Sequence, residues 1–338
     1  MTRHLLGASL LALLAISPTL PAAGAGFDVA REDVQGFVAS MVQQHGFDAT
    51  ALTALLREAQ PQPRILELIA KPAERTLSWW EYRARFLTSE RIEGGVKVWQ
   101  THAAELKRIS ERSGVPAEYL VAITGVETFY GRVMGRNRVL DALTTLGFDY
   151  PPRGDFFRRE LEQFLLLTRE DGVDPRKPLG SYAGAMGIAQ FMPSSVRAYA
   201  VDDGKDGHRD LFEYGPDVFA SVANYFTVHG WRSTEPVLVD AINATAPDDP
   251  ASARLALGDT VASLRERGYQ FATALPDDAP AMLIPALLES GMSWRVGFQN
   301  FYVITRYNRS FMYAMAVHEL AQAIAARYSA AELLLQQT

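Results

Sequence analysis

The sequence predicts a mainly α-helical protein of the α+β class, and three observations carry that reading. Apolar residues recur at three- and four-residue spacing through most of positions 27–230 and again over 308–328. Period-two alternation is confined to positions 236–303, which suits one small mixed insertion. The chain has 338 residues and no cysteine, so it is long enough for a sizeable core that disulfides cannot staple.

Taken in order, the chain opens on Arg3 and His4, the apolar run Leu5–Ile16, Pro18 and Pro21, and the small residues Ala23-Gly24-Ala25. This reads as a secretory signal peptide over 1–25, with the mature chain starting near Gly26. A retained anchor is the alternative, and the run is short for a membrane span. Phe27–Leu77 is expected to be helical: Phe37, Met41 and Val42 form one stripe, and Asp48 is placed to cap a helix carrying Leu52, Leu55 and Leu56. Pro61 and Pro63 break the chain before a short helix at Ile65–Ile69. Trp79, Trp80 and Tyr82 are expected in the core, with sugar stacking as the alternative. Ile92–Ser113 reads as one long helix stopped by Gly114. Further helices are expected around Leu140–Leu146, over Phe156–Glu170 and Ser194–Ala200, and from Val218 to Gly230. Pro236–Ala244 alternates like a strand, Leu264–Tyr269 and Ala281–Leu287 are short mixed segments, the second broken by Pro285, and Trp294–Val303 reads as strand. Asn308–Tyr328 returns to helix.

Two stretches carry chemistry. In Val115–Gly131, Pro116 suits a first helical turn, and Leu120, Ile123 and Val126 recur at helical spacing. Glu127 then lies on or beside an apolar stripe, next to Phe129 and Tyr130. A carboxyl group there loses solvation and favours its neutral form, as a general acid must. The bland alternative is a glutamate that reaches to water. Ser181–Ser195, SYAGAMGIAQFMPSS, has Gly184 and Gly187, where backbone can come close to a ligand.

GVETFYG, AGAMGIAQFMPSS and NFYVITRYNRSFMYAMA occur here in that order. Together they resemble the B-type lytic murein transglycosylases of glycoside hydrolase family 103, over most of the chain after about Ser78. The resemblance implies a lysozyme-like core over 110–231, completed by 300–338, with an N-terminal helical domain at 26–109 and an α+β insertion at 232–299. It implies cleavage of the bond from N-acetylmuramic acid to N-acetylglucosamine in peptidoglycan, with Glu127 acting as acid and then base and leaving a 1,6-anhydro end. Most glycosidases need two carboxylates; this family needs one. The resemblance also places Ser181, Gln190, Tyr225, Tyr307, Asn308 and Tyr313 along the sugar cleft. Without it, Ser181 could cap a turn, Gln190 could satisfy backbone, and Tyr313 could be core. Arg153 stands where the family usually has two consecutive arginines, so half of a clamp for the stem peptide is missing.

Positions 202–213 read DDGKDGHRDLFE. Counted from Asp202, acidic residues and Gly207 fall at EF-hand spacing, while Gly204 lacks a ligand oxygen. The family has a calcium site here, so the expected ligands are Asp202, Asp206, the His208 carbonyl, and Asp217 or Glu213. An empty acidic turn is the alternative, and no organic cofactor is expected. The net charge of −6 argues against nucleic acid and gives no global attraction to an anionic polymer. The expectation is a soluble, monomeric, periplasmic enzyme that binds glycan strands; lacking cysteine, it departs from the family's lipoproteins. A lysozyme-type hydrolase and a non-catalytic glycan-binding module are the competing readings.

Overall fold

The computed structural model describes residues 26–70, 77–243 and 248–335. The expected signal peptide lies outside them. Three helices open the fold: α1 (Glu32–His45), α2 (Ala49–Arg57) and α3 (Pro63–Ile69). Asp48 caps α2, its Oδ1 accepting from the Ala51 N–H at 2.7 Å. Next comes α4 (Trp79–Phe86), whose start is fixed by the Glu81 carboxylate accepting from the Ser78 N–H at 2.9 Å and its Oγ at 2.6 Å.

The single helix expected over Ile92–Ser113 is two, α5 (Ser89–Thr101) and α6 (Ala103–Ser113). The break is His102, at φ −115° and ψ 26°. Its ring packs between Tyr214 and Phe219, at 5.6 and 5.5 Å, and its Nδ1 meets Glu105 at 2.7 Å. Those contacts turn the backbone where helical periodicity alone runs on.

At the centre lies α7 (Ala117–Thr128). Every residue from Tyr119 to Val126 is buried, so it is enclosed on all sides and not merely along one stripe. It packs against α5, α6, α11 (Pro216–Val228) and the C-terminal α14 (Phe311–Leu335). The helix expected around Leu140–Leu146 is longer: α8 (Val139–Asp149) is buried from Val139 to Phe148 and packs along α9 (Gly154–Glu170). The buried Glu160 of α9 accepts from the N–H and Oγ of Ser194, at 3.0 and 2.7 Å, and so fixes the start of α10 (Pro193–Tyr199). Strands β1 (Asn137–Arg138) and β2 (Leu179–Gly180) make a small antiparallel pair.

The second sheet is antiparallel, in the order β3 (Leu238–Ala241), β6 (Gly291–Gly297), β5 (Pro280–Leu288), β4 (Asp259–Thr260), with α12 (Val261–Glu266) beside it. Ala281–Leu287 belongs to one strand rather than mixed segments. Along β5, Ala281 and Leu283 face a local core with Val261, Leu264 and Trp294, while Met282, Ile284 and Ala286 join the main core. Both faces are covered, so the polar half of the alternation is missing. Pro285 is tolerated because β4 pairs only with Pro280 and Ala281, which leaves that side of β5 an edge. Trp294–Val303 is strand only as far as Gly297, and α13 (Gln299–Tyr307) takes over. Asn300 holds that helix in place, accepting from the Arg232 N–H at 2.8 Å and donating to the carbonyls of Arg232 and Glu235.

Candidate active site

Glu127 occupies the last turn of α7 and is half-buried. Its Oε1 accepts a hydrogen bond of 2.5 Å from the hydroxyl of Tyr313, a buried residue in the first turn of α14. Tyr307 closes α13, and its hydroxyl donates to the Ala189 carbonyl at 2.7 Å. Burial first, and then the charge of Glu127, push both phenols well above the usual tyrosine range. Both therefore stay protonated near neutral pH and can only strengthen as donors to developing negative charge.

The backbone after Glu127 is unusual. Phe129, Tyr130 and Gly131 follow one another in the left-handed region, at φ 50°, 59° and 78°. For the two non-glycine residues this costs about 1–2 kcal/mol each. The Tyr130 ring offsets that cost by filling a slot lined with glycines: a Cβ on Gly94, Gly95 or Gly125 would come within 2.9, 2.6 or 2.7 Å of it. The Tyr130 hydroxyl donates to the Arg91 carbonyl at 2.7 Å. The Phe129 N–H bonds to the Thr124 carbonyl, and the Gly125 carbonyl instead accepts from the Arg91 guanidinium. That guanidinium also lies 4.4 Å over the Phe129 ring. Thr128 donates to the Ile188 carbonyl at 2.9 Å and accepts from the Gly131 N–H at 2.9 Å, joining the turn to the second motif. Arg91 and Thr128 were not singled out from the sequence, and Tyr130 only as a neighbour of Glu127; the Gly94-Gly95 pair with Gly125 is the signal that something large fits between two helices.

The second motif folds into tight turns with Gly184, Gly187 and Gln190 at φ 85°, 71° and 49°. A Cβ at Gly187 would stand 2.4 Å from the Leu211 carbonyl oxygen. Ser181 Oγ accepts from the N–H groups of Ala183 and Ala185, at 3.3 and 3.1 Å. Gln190 Nε2 donates to the Gly187 and Met134 carbonyls, at 2.8 and 3.2 Å, and its Oε1 takes no hydrogen bond from the described residues. The Tyr225 hydroxyl donates to the Arg306 carbonyl at 2.7 Å, and its ring lies 4.8 Å from that of Tyr307. Asn308 is exposed just beyond α13. Glu127, Tyr307, Tyr313, Tyr225 and the Ala189-Gln190 turn thus form one neighbourhood. Arg153 makes its contacts elsewhere, over the rings of Phe156 and Phe157 at 4.4 and 5.1 Å.

The acidic loop is organised around backbone. The buried Asp217 accepts from the N–H groups of Asp203 and Gly204 through Oδ1, at 2.8 and 2.9 Å, and from that of Asp210 through Oδ2 at 3.0 Å. Asp202 accepts from the N–H groups of Asp206 and Gly207, at 3.2 and 2.9 Å, and Asp206 from that of His208 at 2.9 Å. Glu213 is exposed. Among the described residues no three acidic or histidine side chains gather as a metal cluster. The donor set is hard oxygen, which suits calcium, but the expected ligands do not converge here: Asp217 Oδ1 already accepts two N–H groups.

A family model described as the transglycosylase SLT domain matches residues 29–322. The membrane-bound lytic murein transglycosylase B of Escherichia coli (strain K12) is 41% identical over 302 residues, which span 87% of this chain and 82% of that protein. The structure of the soluble lytic transglycosylase SltB1 from Pseudomonas aeruginosa superposes with a TM-score of 0.81 at 47% identity, covering 88% of this chain and 99% of that one. The Escherichia coli lytic transglycosylase Slt35 in complex with calcium superposes with a TM-score of 0.80 at 40% identity, covering 90% and 96%.

Proposed function

Given that the chain belongs to the transglycosylase SLT domain family and is a lytic transglycosylase, a lyase acting on murein, we propose that Glu127 is its single acid and base. The observation that carries this reading is the 2.5 Å hydrogen bond from Tyr313 to Glu127 Oε1 at a half-buried helix end. With Oε1 engaged, the transferable proton belongs on Oε2. From there it passes to the glycosidic oxygen, and the bond from that oxygen to C1 of N-acetylmuramic acid breaks. The sugar's own N-acetyl group, or the oxocarbenium ion itself, carries the positive charge left behind. Glu127, now ionised, takes the proton of the C6 hydroxyl, and O6 closes onto C1. Water is not consumed. The Tyr313 hydrogen bond steadies the carboxylate formed between the two steps.

Ser181, Gln190, Tyr225, Tyr307 and Asn308 line the sugar cleft in this proposal, and Gln190 Oε1 is an acceptor for an N-acetyl N–H. The Arg153 side chain serves the stem peptide. The chain divides at 26–109, 110–231, 232–299 and 300–338, and acts as an exported, periplasmic monomer on glycan strands. Among the described residues no helix is long and apolar enough to cross a membrane. Calcium, in this proposal, draws together Asp202, Asp206, the His208 carbonyl, and Asp217 or Glu213 from the separate positions described above; it would brace the loop and take no part in the chemistry.

The test is Glu127→Gln, which keeps size and polarity and removes the titrating proton. Turnover of peptidoglycan is expected to fall by several orders of magnitude, since positioned acid–base catalysis contributes roughly 10²–10⁴-fold per role. Wild-type product formed in ¹⁸O-labelled water is expected to carry a 1,6-anhydro end and no label. Labelled product would mean that water attacks, as in a lysozyme-type hydrolase.

A further inference from the structure

A second cavity, of ≈ 970 Å³, opens between α4, the edge of the β3-β6-β5 sheet and α14, and none of the residues assigned above to Glu127's neighbourhood lines it. Trp80 stands at its side, 42% exposed, while its α4 neighbours Trp79 and Tyr82 are buried. Arg83, Asp240, Glu289 and Ser290 add polar groups. In the lining, Arg295 donates to Glu319 at 2.6 Å, lies 5.4 Å over the Trp79 ring and places its Nε 3.4 Å from Asp240 Oδ1, so ion pairs hold this wall in place.

We propose that this cavity is a second saccharide-binding site, which holds the glycan strand at a distance from the bond being cut. The inference rests on the reading that the chain acts on glycan. Charge selects the ligand class. Both arginines pair with Glu319 and Arg295 also with Asp240, so the cations of the lining are already matched, and Glu289 adds negative charge; an anionic stem peptide is disfavoured. An uncharged N-acetylated sugar suits the lining better: its ring packs on the Trp80 face, its hydroxyls donate to Asp240 and Glu289, and its oxygens accept from Arg83 and Ser290. His318 lines the cavity five residues after Tyr313 on α14, about 140° round the helix, so the second site lies on a different face of that helix from the Glu127 contact.

The test uses the full chain with Glu127→Gln, so that nothing turns over, and a β-1,4-linked N-acetylglucosamine tetramer as probe. The Trp80 indole N–H resonance, assigned by its loss in Trp80→Ala, is expected to shift saturably, and Ser290→Trp, which fills the mouth from an exposed turn, is expected to abolish the shift. With Glu127 restored, both variants are expected to raise KM on intact sacculi about tenfold with kcat unchanged, the effect of losing one stacked ring and its hydrogen bonds. No Trp80 shift at millimolar tetramer, a response only to peptide-bearing fragments, or an unchanged KM in both variants would overturn the proposal. Failure of the Glu127 reading looks different: wild-type enzyme would yield no anhydro product, whatever Trp80 does.

Discussion

At the scale of single residues, the carboxylate is positioned by groups that never touch it. Gly125 is the clearest case. An alanine in a helix interior gains about 1 kcal/mol of propensity over glycine. Here its Cβ would stand 2.7 Å from the Tyr130 hydroxyl and 2.8 Å from the ring, which is pinned on its far side by Gly94 and Gly95. Overpacking of that kind costs typically 1–3 kcal/mol, so packing outweighs propensity. Gly125→Ala is expected to lower the melting temperature and, by pushing the Phe129-Tyr130 turn, to lower kcat more than it alters KM. Unchanged melting would mean that the ring moves freely and the turn is not braced by it. Glu127 itself was legible in the sequence, because an acid among apolar neighbours is a local pattern. Arg91 was not: its guanidinium reaches the Gly125 carbonyl across 34 positions, and no local spacing records such a contact.

At the scale of elements, the acidic loop has two loads on the same side chains. Asp217 holds three backbone N–H groups with no cation beside it. Asp217→Ala is therefore expected to destabilise the protein even in chelator, by about 0.5–1.5 kcal/mol for each hydrogen bond lost, since Gly204 and Asp210 are exposed and water can replace the acceptor. Calcium is expected to raise the wild-type melting temperature, by the equivalent of about 2.7 kcal/mol at a hundredfold excess over Kd. Melting curves in millimolar calcium and in chelator check both; coincident curves would remove calcium from the proposal. Helices were the legible elements, since amphipathic periodicity records them directly. The strand β5 was misread because both of its faces are buried, and the break at His102 because ring packing, not sequence spacing, turns the chain there.

At the scale of the whole molecule, stability depends on pH through a histidine largely enclosed between α14 and its neighbours. Burial, reinforced by the nearby Arg295, pushes His318 down to about 4 from 6.5, against the opposing pull of Glu319 and Asp240. The unfolded chain thus binds this proton first as pH falls. Between about 6.5 and 4 the folded state loses ground, by at most about 3 kcal/mol for this one group at the lower end. His318→Gln, which keeps a partner for the Tyr119 hydroxyl now 2.8 Å from Nδ1, is expected to narrow the drop in melting temperature between pH 7 and pH 4.5. An unchanged drop would assign the acid sensitivity to other groups.

Tyr313 meets Glu127 from 186 positions further along the chain, on the last helix. Until α14 docks, α7 has a large face uncovered and its glutamate lacks the tyrosine. On the reading of Glu127 proposed above, a chain clipped before α14 is therefore latent: it keeps the carboxyl group and loses the phenol that steadies it, so competence waits on the docking of one helix. Closing so distant a contact is slow beside the folding of α7 itself.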